Sequence, residues 1–347
     1  MRADMNSSPN RILAVYGASG HTGRFVVDEA LRRGFAVRAV GRDAARLPPH
    51  VPGAAAGIDD PQALARAFAG CGVVINCAGP FLDTAAPVAR AAIAAGAGYI
   101  DVTAEQASAL ATLEAFDAPA RAAGVAVIPA AGFYGGLADL LASALPGASA
   151  ADELVVAVAL DHWWPTEGTR RTGERNQVPR VVRRAGALVP MAQPAGRSTW
   201  TFGPPHGARP MIELPFSEIV TMSRHLAVPD IRALLDASAL DEIRDASTPA
   251  PAATDSRGRS SQRFEMVVEA RLGAARRTAR ARGRDIYAVS APLVLEAAAR
   301  MLAPGFDRRG ALAPGEAFDA RDFLRALEDD LEVEIESAPI PLGVVVA

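Results

Sequence analysis

Three glycines spaced three residues apart constrain the fold of this chain more than any other feature. Gly17, Gly20 and Gly23 directly follow the apolar run at 11–16, and a helical pattern begins at Thr22. At a strand-to-helix junction the first glycine permits a tight turn, the second lets a pyrophosphate approach the backbone, and the third allows close packing. The start of the helix offers unpaired N–H groups to phosphates. The spacing therefore predicts a dinucleotide-binding turn, the alternative being a glycine-rich turn without a ligand.

The end of the second predicted strand indicates which dinucleotide the turn binds. An NAD-specific site has an acidic residue there for the ribose 2′-hydroxyl, whereas this chain has Arg42 followed by Asp43. A guanidinium favours the 2′-phosphate of NADP(H). Alternatively, Arg42 is a solvated turn residue and Asp43 binds the ribose. The predicted cofactor contacts are Gly17, Ser19, Gly20, His21, Thr22, Gly23, Arg42, Asn76, Ala78, Gly79, Pro80 and Phe81.

Apolar runs alternate with helical patterns throughout the first part of the chain. Strands are predicted at 11–16, 35–40, 73–77, 99–102 and 125–130, with helices at 22–33, 61–69, 84–95 and 105–123. Such an alternation is typical of a parallel sheet with helices on both faces.

The pattern changes after Gly132, which indicates a second domain. Strand candidates now follow one another without regular helices, as in an antiparallel sheet, at 154–160, 198–202, 217–222, 263–271 and 276–282. A long helix is predicted at 287–302. The fold class is therefore α/β, a Rossmann parallel sheet with a second α+β domain containing an antiparallel sheet. We expect the Rossmann domain at 10–135 with a return helix near 285–305, a substrate or dimerisation domain at 136–284, and a C-terminal extension at 306–347.

Composition excludes several kinds of chemistry. The 347 residues carry a formal net charge of -3 and include no lysine, which excludes a Schiff-base lysine, a P-loop lysine and the Tyr-x-x-x-Lys dyad of short-chain dehydrogenases. Cys71 and Cys77 flank a predicted strand too far apart for a disulfide, and no pattern indicates a metal site. We expect a cytoplasmic protein with a small-molecule substrate and without a nucleic-acid or membrane partner. A homodimer stays open.

Four segments carry a resemblance to a known family. They are 16–23 (YGASGHTG), 76–81 (NCAGPF), 99–105 (YIDVTAE) and 131–139 (AGFYGGLAD), with a weaker match at 283–287 (GRDIY). In these segments the chain resembles the saccharopine dehydrogenase (saccharopine reductase)-like NADP-binding-domain family, including the trans-acting enoyl reductases. The resemblance implies a Rossmann domain interrupted by an α/β domain, a C-terminal helix that packs back on the Rossmann part, and NADP(H) chemistry at an imine, ketone or C=C bond.

The chain departs from the family pattern near the predicted reaction centre. Tyr134 and Gly135 occupy the positions of Asp and Ser in the family's G-F-D-S segment, and Ala104 replaces the Gly of T-G-E while Glu105 is retained. Tyr134 follows the last parallel strand, where its hydroxyl could donate a proton, or its ring could simply cover the cofactor. Asp101 is the second catalytic candidate. Glu105 either stabilises a helix start or orients the substrate.

An arginine-rich stretch is the last candidate site. Arg170, Arg171 and Glu174 lie between the strong strand at 154–160 and the second half of the chain. Guanidinium groups suit a carboxylate or phosphate of the substrate, with Glu174 orienting one of them. Alternatively, i, i+4 ion pairs make this stretch a solvated helix face.

Together these features predict an NADPH-dependent oxidoreductase that reduces an imine, ketone or activated C=C bond of a small-molecule metabolite. The alternatives are a trans-acting enoyl reductase acting on a thioester and a non-catalytic NADP(H)-binding regulatory protein.

Overall fold

A computed structural model describes residues 11–336, 338, 340 and 341 of the chain. The strands are β1 (Ile12–Tyr16), β2 (Ala36–Gly41), β3 (Gly53–Ala55), β4 (Cys71–Asn76), β5 (Gly98–Asp101), β6 (Ala126–Ile128), β7 (Glu153–Leu160), β8 (Val181–Arg184), β9 (Ala187–Pro190), β10 (Arg197–Thr201), β11 (Ala208–Glu213), β12 (Asp230–Asp236), β13 (Arg263–Leu272), β14 (Ala275–Arg284), β15 (Gly310–Ala311), β16 (Glu332–Ile335) and β17 (Ile340–Pro341).

The helices connect these strands. They are α1 (His21–Arg32), α2 (Pro61–Phe68), α3 (Phe81–Ala94), α4 (Gln106–Ala123), α5 (Ala138–Ala144), α6 (Glu167–Arg175), α7 (Glu218–His225), α8 (Ala237–Arg244), α9 (Ser290–Met301), α10 (Pro314–Ala317) and α11 (Ala320–Arg325). A π-helical turn, Phe133–Leu137, precedes α5. No helix in the part of the chain that the structure describes has the length and apolar character needed to cross a membrane.

The first sheet is parallel throughout, as the alternation of strands and helices predicts. Its strand order is β15-β6-β5-β4-β1-β2-β3. Helices cover both faces, so β1 and β4 are almost wholly buried and consist of short apolar runs. The order reverses between β1 and β4, and the crevice beyond the carboxyl ends of the strands at such a point is where ligands of this architecture bind.

The second sheet is largely antiparallel, with the order β10-β11-β12-β7-β13-β14-β16. Its one parallel pair among the described strands is β7 with β12. The predicted fold class is thus confirmed. The predicted strand at 217–222 is wrong, because this segment lies in α7. Its five residues from Glu218 to Met222 are all buried, so the apolar periodicity that separates a helix from a strand is missing.

The end of the chain returns to the first sheet, as predicted for the last long helix. Helix α9 packs against α1, β4 and β5. An ion pair of 3.0 Å joins Arg33 Nη1 of the first helical segment to Glu296 Oε2. The Ser290 hydroxyl accepts a hydrogen bond of 3.3 Å from the Phe133 N–H. Beyond α9, β15 extends the parallel sheet and β16 extends the second sheet.

Candidate functional site

The glycine turn between β1 and α1 has the geometry that its sequence predicts. Gly17 adopts a φ of 81°, and a Cβ there would lie 2.9 Å from the backbone nitrogen of Ala78. A Cβ on Gly23 would approach the Gly17 carbonyl oxygen to 2.1 Å, so only glycine fits. Gly20 is exposed, and a Cβ there would meet the Gly17 oxygen alone, at 3.2 Å. The turn is tightly packed on its inner side and open on the side where a pyrophosphate would lie.

The amino terminus of α1 supplies the donors that such a ligand requires. Gly20 caps the helix without a side-chain hydrogen bond, so the first N–H groups of α1 point into the open side of the turn. Ser19 and Thr22, on either side of Gly20 and His21, are both half-buried. The ring of His21 packs against Phe25, and burial lowers the pKa of this imidazole. The contact of His21 with a phosphate stays a prediction.

Arg42 and Asp43, which follow β2, have different surroundings. The Asp43 carboxylate accepts a hydrogen bond of 3.0 Å from the Ala45 N–H and so caps a short 3₁₀ turn. Arg42 is exposed, and its positive charge acts on the hydroxyl of Tyr16 at the end of β1. The Asp43 carboxylate is thus held by the backbone, whereas Arg42 is exposed.

Asn76 and Asp101, the last residues of β4 and β5, belong to one buried hydrogen-bond network. Asn76 donates to the hydroxyl of Tyr99 at 3.2 Å, and that hydroxyl donates to Asp101 Oδ2 at 2.9 Å. Asp101 Oδ1 accepts the N–H groups of Thr103 and Ala130, at 3.0 and 2.8 Å. Because Asp101 is 0% exposed and bonded only to protein groups, it fixes the ends of β5 and β6. The catalytic role of Asp101 stays a prediction beside this structural one.

Glu105 has a structural role of the predicted kind, but at a different helix. It precedes α4, yet its carboxylate accepts the N–H groups of Phe81 and Leu82 at 2.7 and 3.3 Å, and so caps α3. Glu105 therefore orders the segment from Ala78 to Phe81, which passes beside the glycine turn, and its contact with a substrate stays a prediction. Asn76 Oδ1 holds the start of this segment through the Ala78 N–H, at 3.0 Å.

The arginines of α6 do not converge on a substrate position. Arg170 donates to the Thr248 carbonyl at 2.7 Å, and exposed Arg171 pairs with Glu167. Exposed Glu174 orients neither of them, since its backbone carbonyl rather than its carboxylate makes a hydrogen bond, to Gln177. In this structure Arg170 and Arg171 have separate partners, and the binding of an anionic group by Arg170, Arg171 and Glu174 stays a prediction.

Helix α6 instead covers the crevice with its threonine face. A Cβ on Gly79 would lie 2.9 Å from Thr172 Oγ1, so the helix rests directly on the loop before Pro80. Arg175 forms an ion pair of 2.9 Å with Asp83 of α3. No residue of α6 is fully buried, so the helix adds little to the core and lies over the site.

Tyr134 lies in a buried aromatic cluster at the end of β6. Its ring stacks on Phe216 with centroids 4.1 Å apart, and Trp163 lies at 5.9 Å. The side chain is 8% exposed, and its hydroxyl is buried without a hydrogen-bond partner in the described part of the chain. Burial raises the pKa of Tyr134 well above its ordinary value, with smaller effects from nearby Tyr287 and Glu218. The hydroxyl is therefore neutral and free to donate.

Tyr287 links this cluster to the glycine turn. Its ring lies edge-on to His21 with centroids 5.5 Å apart. Its hydroxyl accepts hydrogen bonds from Trp163 Nε1 at 3.1 Å and from Thr169 Oγ1 of α6 at 3.0 Å. Tyr287 thus connects the aromatic cluster, helix α6 and the glycine turn.

Glu218 and Arg180 complete the cluster on the side of α7. Glu218 Oε1 accepts the Phe216 N–H at 2.8 Å, while Oε2 is buried without a partner. Burial raises the pKa of Glu218 to about 7, against a smaller lowering by Arg180. The Arg180 guanidinium lies 4.6 Å from the Phe216 ring centroid and donates to the Pro215 carbonyl. The cluster therefore combines neutral donors with one positive charge.

Three residues of this cluster, Tyr287, Glu218 and Arg180, were not identified from the sequence. Tyr287 ends the motif GRDIY, which carried the weaker part of the family resemblance. Glu218 was not identified because its segment was predicted as a strand. Arg180 follows the arginine-rich stretch, where nothing in the spacing distinguishes it from its exposed neighbours.

A separate cavity lies elsewhere in the molecule. Its volume is about 560 Å³, and its lining includes Val73, Gly98, Ala126, Met301 and Phe306. Gly98 and Ala126 begin β5 and β6, so the cavity opens at the amino ends of the parallel strands, opposite the glycine turn. Ligands of parallel sheets bind at the carboxyl ends, which makes the Tyr134 cluster the better candidate. No group of three or more metal-ligating side chains occurs within the described residues.

Comparisons with known proteins agree with this geometry. A family model described as NAD(P)H-binding matches residues 17–113. Apo saccharopine dehydrogenase (L-Glu forming) from Saccharomyces cerevisiae is 12% identical, covers 94% of this chain and 100% of its own, and has a TM-score of 0.63. Triphenylmethane reductase from Citrobacter sp. is 20% identical over 41% of this chain and 56% of its own, with a TM-score of 0.30.

A short-chain dehydrogenase/reductase superfamily protein from Agrobacterium tumefaciens, with bound NAD, is 21% identical over 27% of this chain and 32% of its own, with a TM-score of 0.24. No curated protein matches the chain. The chain therefore has an NAD(P)H-binding domain, matched at residues 17–113, within a saccharopine dehydrogenase-like fold. This confirms the fold that the sequence motifs imply.

Proposed function

We propose that this protein is an NADPH-dependent oxidoreductase that reduces a polar double bond, that of an imine, a ketone or an activated alkene, in a small-molecule metabolite. The observation that carries the proposal is the position of the buried, unpartnered Tyr134 hydroxyl, joined through Tyr287 to the glycine turn. Bound NADPH would supply the hydride, and the protein has to orient the acceptor and exclude water.

The order of strands in the parallel sheet suggests which side of the site binds each half of the cofactor. The glycine turn and Arg42 lie on the β1–β2 side, which suits the pyrophosphate and the 2′-phosphate. Tyr134 follows β6 on the opposite side of the switch point, which suits the nicotinamide half. The loop from Ala78 to Phe81 lies between the two, and helix α6 covers it. The acceptor would then lie against Tyr134 with the nicotinamide above the ends of β4 and β5.

A cofactor titration tests the proposal. Calorimetric titration should give much tighter binding of NADPH than of NADH. Arg42→Ala should weaken NADPH binding by about 1.5–3 kcal/mol, the range for a hydrogen bond to a charged group, and leave NADH unchanged. Arg46→Ala, four residues further on and also exposed, is the matched control. Equal affinity for both cofactors in the wild type would refute NADP preference, and binding of neither would refute the function.

A further inference from the structure

We infer that Tyr134 and Glu218 together form an oxyanion-binding pair, so that the site takes a carbonyl acceptor, either a ketone or an alkene conjugated to a carbonyl, in preference to an iminium ion. This inference rests on the proposed function and specifies the substrate class of the same site.

Tyr134 and Glu218 both contact the same residue, Phe216. Phe216 stacks on Tyr134, and its N–H binds Glu218 Oε1. The π-helical turn that carries Tyr134 packs directly on the start of α7, since the Thr221 hydroxyl donates to the Gly135 carbonyl at 3.2 Å. The Tyr134 hydroxyl and Glu218 Oε2 are both buried and both lack a partner among the described residues. A buried polar atom of this kind is costly unless a ligand satisfies it.

The hydrogen bond to Oε1 decides which oxygen of Glu218 carries the proton. An N–H donor occupies Oε1, so in the neutral acid the proton lies on Oε2, the unpartnered oxygen. Glu218 and Tyr134 then present two O–H donors. A carboxylic acid kept neutral by an apolar site and paired with a tyrosine is an established way of stabilising a developing oxyanion.

The charges around Glu218 favour an anion over a cation while Glu218 is protonated. Arg180 is the charged group that acts on Glu218, and Tyr134 and Tyr287 are neutral. The other ionisable groups packed against α7 have partners elsewhere: Asp139 binds His225, Glu316 binds Arg224, and Arg183 binds the Ser223 carbonyl. While Glu218 is protonated, a protonated imine would face the Arg180 guanidinium without a counter-charge, whereas an alkoxide or enolate oxygen would be stabilised.

The hydride, the electron pair and the proton are all accounted for in the proposed reduction. A hydride adds to the acceptor carbon, the π electrons move to the carbonyl oxygen, and the proton of Glu218 Oε2 transfers to that oxygen, directly or after enolate formation. Glu218 is left as a carboxylate and regains a proton from solvent. Tyr134 donates a hydrogen bond throughout and keeps its proton, in keeping with its raised pKa.

The binding of a phenolate tests the proposed oxyanion-binding pair without turnover. We propose 4-nitrophenol, titrated against the cofactor-free protein and followed by the absorbance of its anion. Tyr134→Phe and Glu218→Ala should each weaken phenolate binding at least about tenfold, the loss of one hydrogen bond to a charge. Glu218→Gln keeps an N–H donor and should stay within about threefold of wild type. The affinity of the wild type, expressed per phenolate anion, should fall as the pH rises through about 7, where Glu218 ionises, and this fall should be absent in Glu218→Gln.

Controls separate this inference from the proposed function. Glu316→Gln alters an acid on the other side of α7 and should leave phenolate binding unchanged. In turnover with NADPH, cyclohexanone and 2-cyclohexen-1-one should be reduced in preference to 2-methyl-1-pyrroline, which is protonated at neutral pH. Phenolate affinity that is insensitive to both Tyr134→Phe and Glu218→Ala, or preferred reduction of the pyrroline, would overturn the inference and leave the oxidoreductase intact. Absence of NADPH binding would overturn both.

Discussion

Replacing Glu218 by Gln should stabilise the protein at alkaline pH and hardly at all at acid pH. Glu218 is 2% exposed, and burial raises its pKa to about 7 from an ordinary 4.5. Between these two values the folded protein holds a proton that the unfolded chain has released, so the stability of the wild type falls as the pH rises. The difference of about 2.5 pH units corresponds to roughly 3 kcal/mol once the pH exceeds 7. Glutamine has nearly the same shape and no charge, and avoids this cost.

The assay is urea unfolding of both proteins at pH 5 and pH 8.5. The advantage of Glu218→Gln in the free energy of unfolding should grow by roughly 2.5 kcal/mol between these conditions. Other titrating groups cancel because they are common to both proteins. Glu316→Gln, which removes an acid of α10 that lies 3.7 Å from Arg224 of α7, should show no such growth. An advantage for Glu218→Gln that is equal at both pH values would refute the neutral acid, and with it the proton donor assigned to the site.

Three further results are expected. Gly23→Ala places a Cβ 2.1 Å from the Gly17 carbonyl oxygen and should lower the free energy of unfolding by about 1–3 kcal/mol, whereas Gly20→Ala, at 3.2 Å, should weaken NADPH binding with little loss of thermal stability. Asp101→Ala leaves three buried donors without an acceptor and should cost about 2–4 kcal/mol in urea unfolding; unchanged stability with lost turnover would support its catalytic role. Arg171→Ala removes an exposed ion pair and should leave KM and kcat unchanged, and a tenfold rise in KM would contradict this.

The parallel sheet and its cofactor turn could be predicted because local sequence controls both. Buried strands form short apolar runs, and the steric demands at Gly17 and Gly23 permit no other residue. Arg42 was identified for the same reason, because its position at the end of β2 follows from the sequence alone. These features depend on neighbours within a few residues.

The reaction site was predicted only in part, because distant segments build it. Tyr134 was identified from its place after the last parallel strand. Glu218, Arg180 and Tyr287 come from α7, the stretch before β8 and the segment before α9, and no periodicity connects them. Asp101 and Glu105 were assigned to chemistry because they are acids at strand ends. Their hydrogen bonds to backbone N–H groups across the sheet, which the sequence does not reveal, give both a structural role.

A crystal structure of the NADP⁺ complex tests the central claim most directly. We predict that the pyrophosphate oxygens lie within hydrogen-bonding distance of the N–H groups at the start of α1, that Arg42 contacts the 2′-phosphate, and that the nicotinamide C4 faces the Tyr134 hydroxyl. A nicotinamide on the far side of α6 from Tyr134, or a dinucleotide bound in the cavity near Gly98 and Met301 at the opposite end of the sheet, would contradict the account.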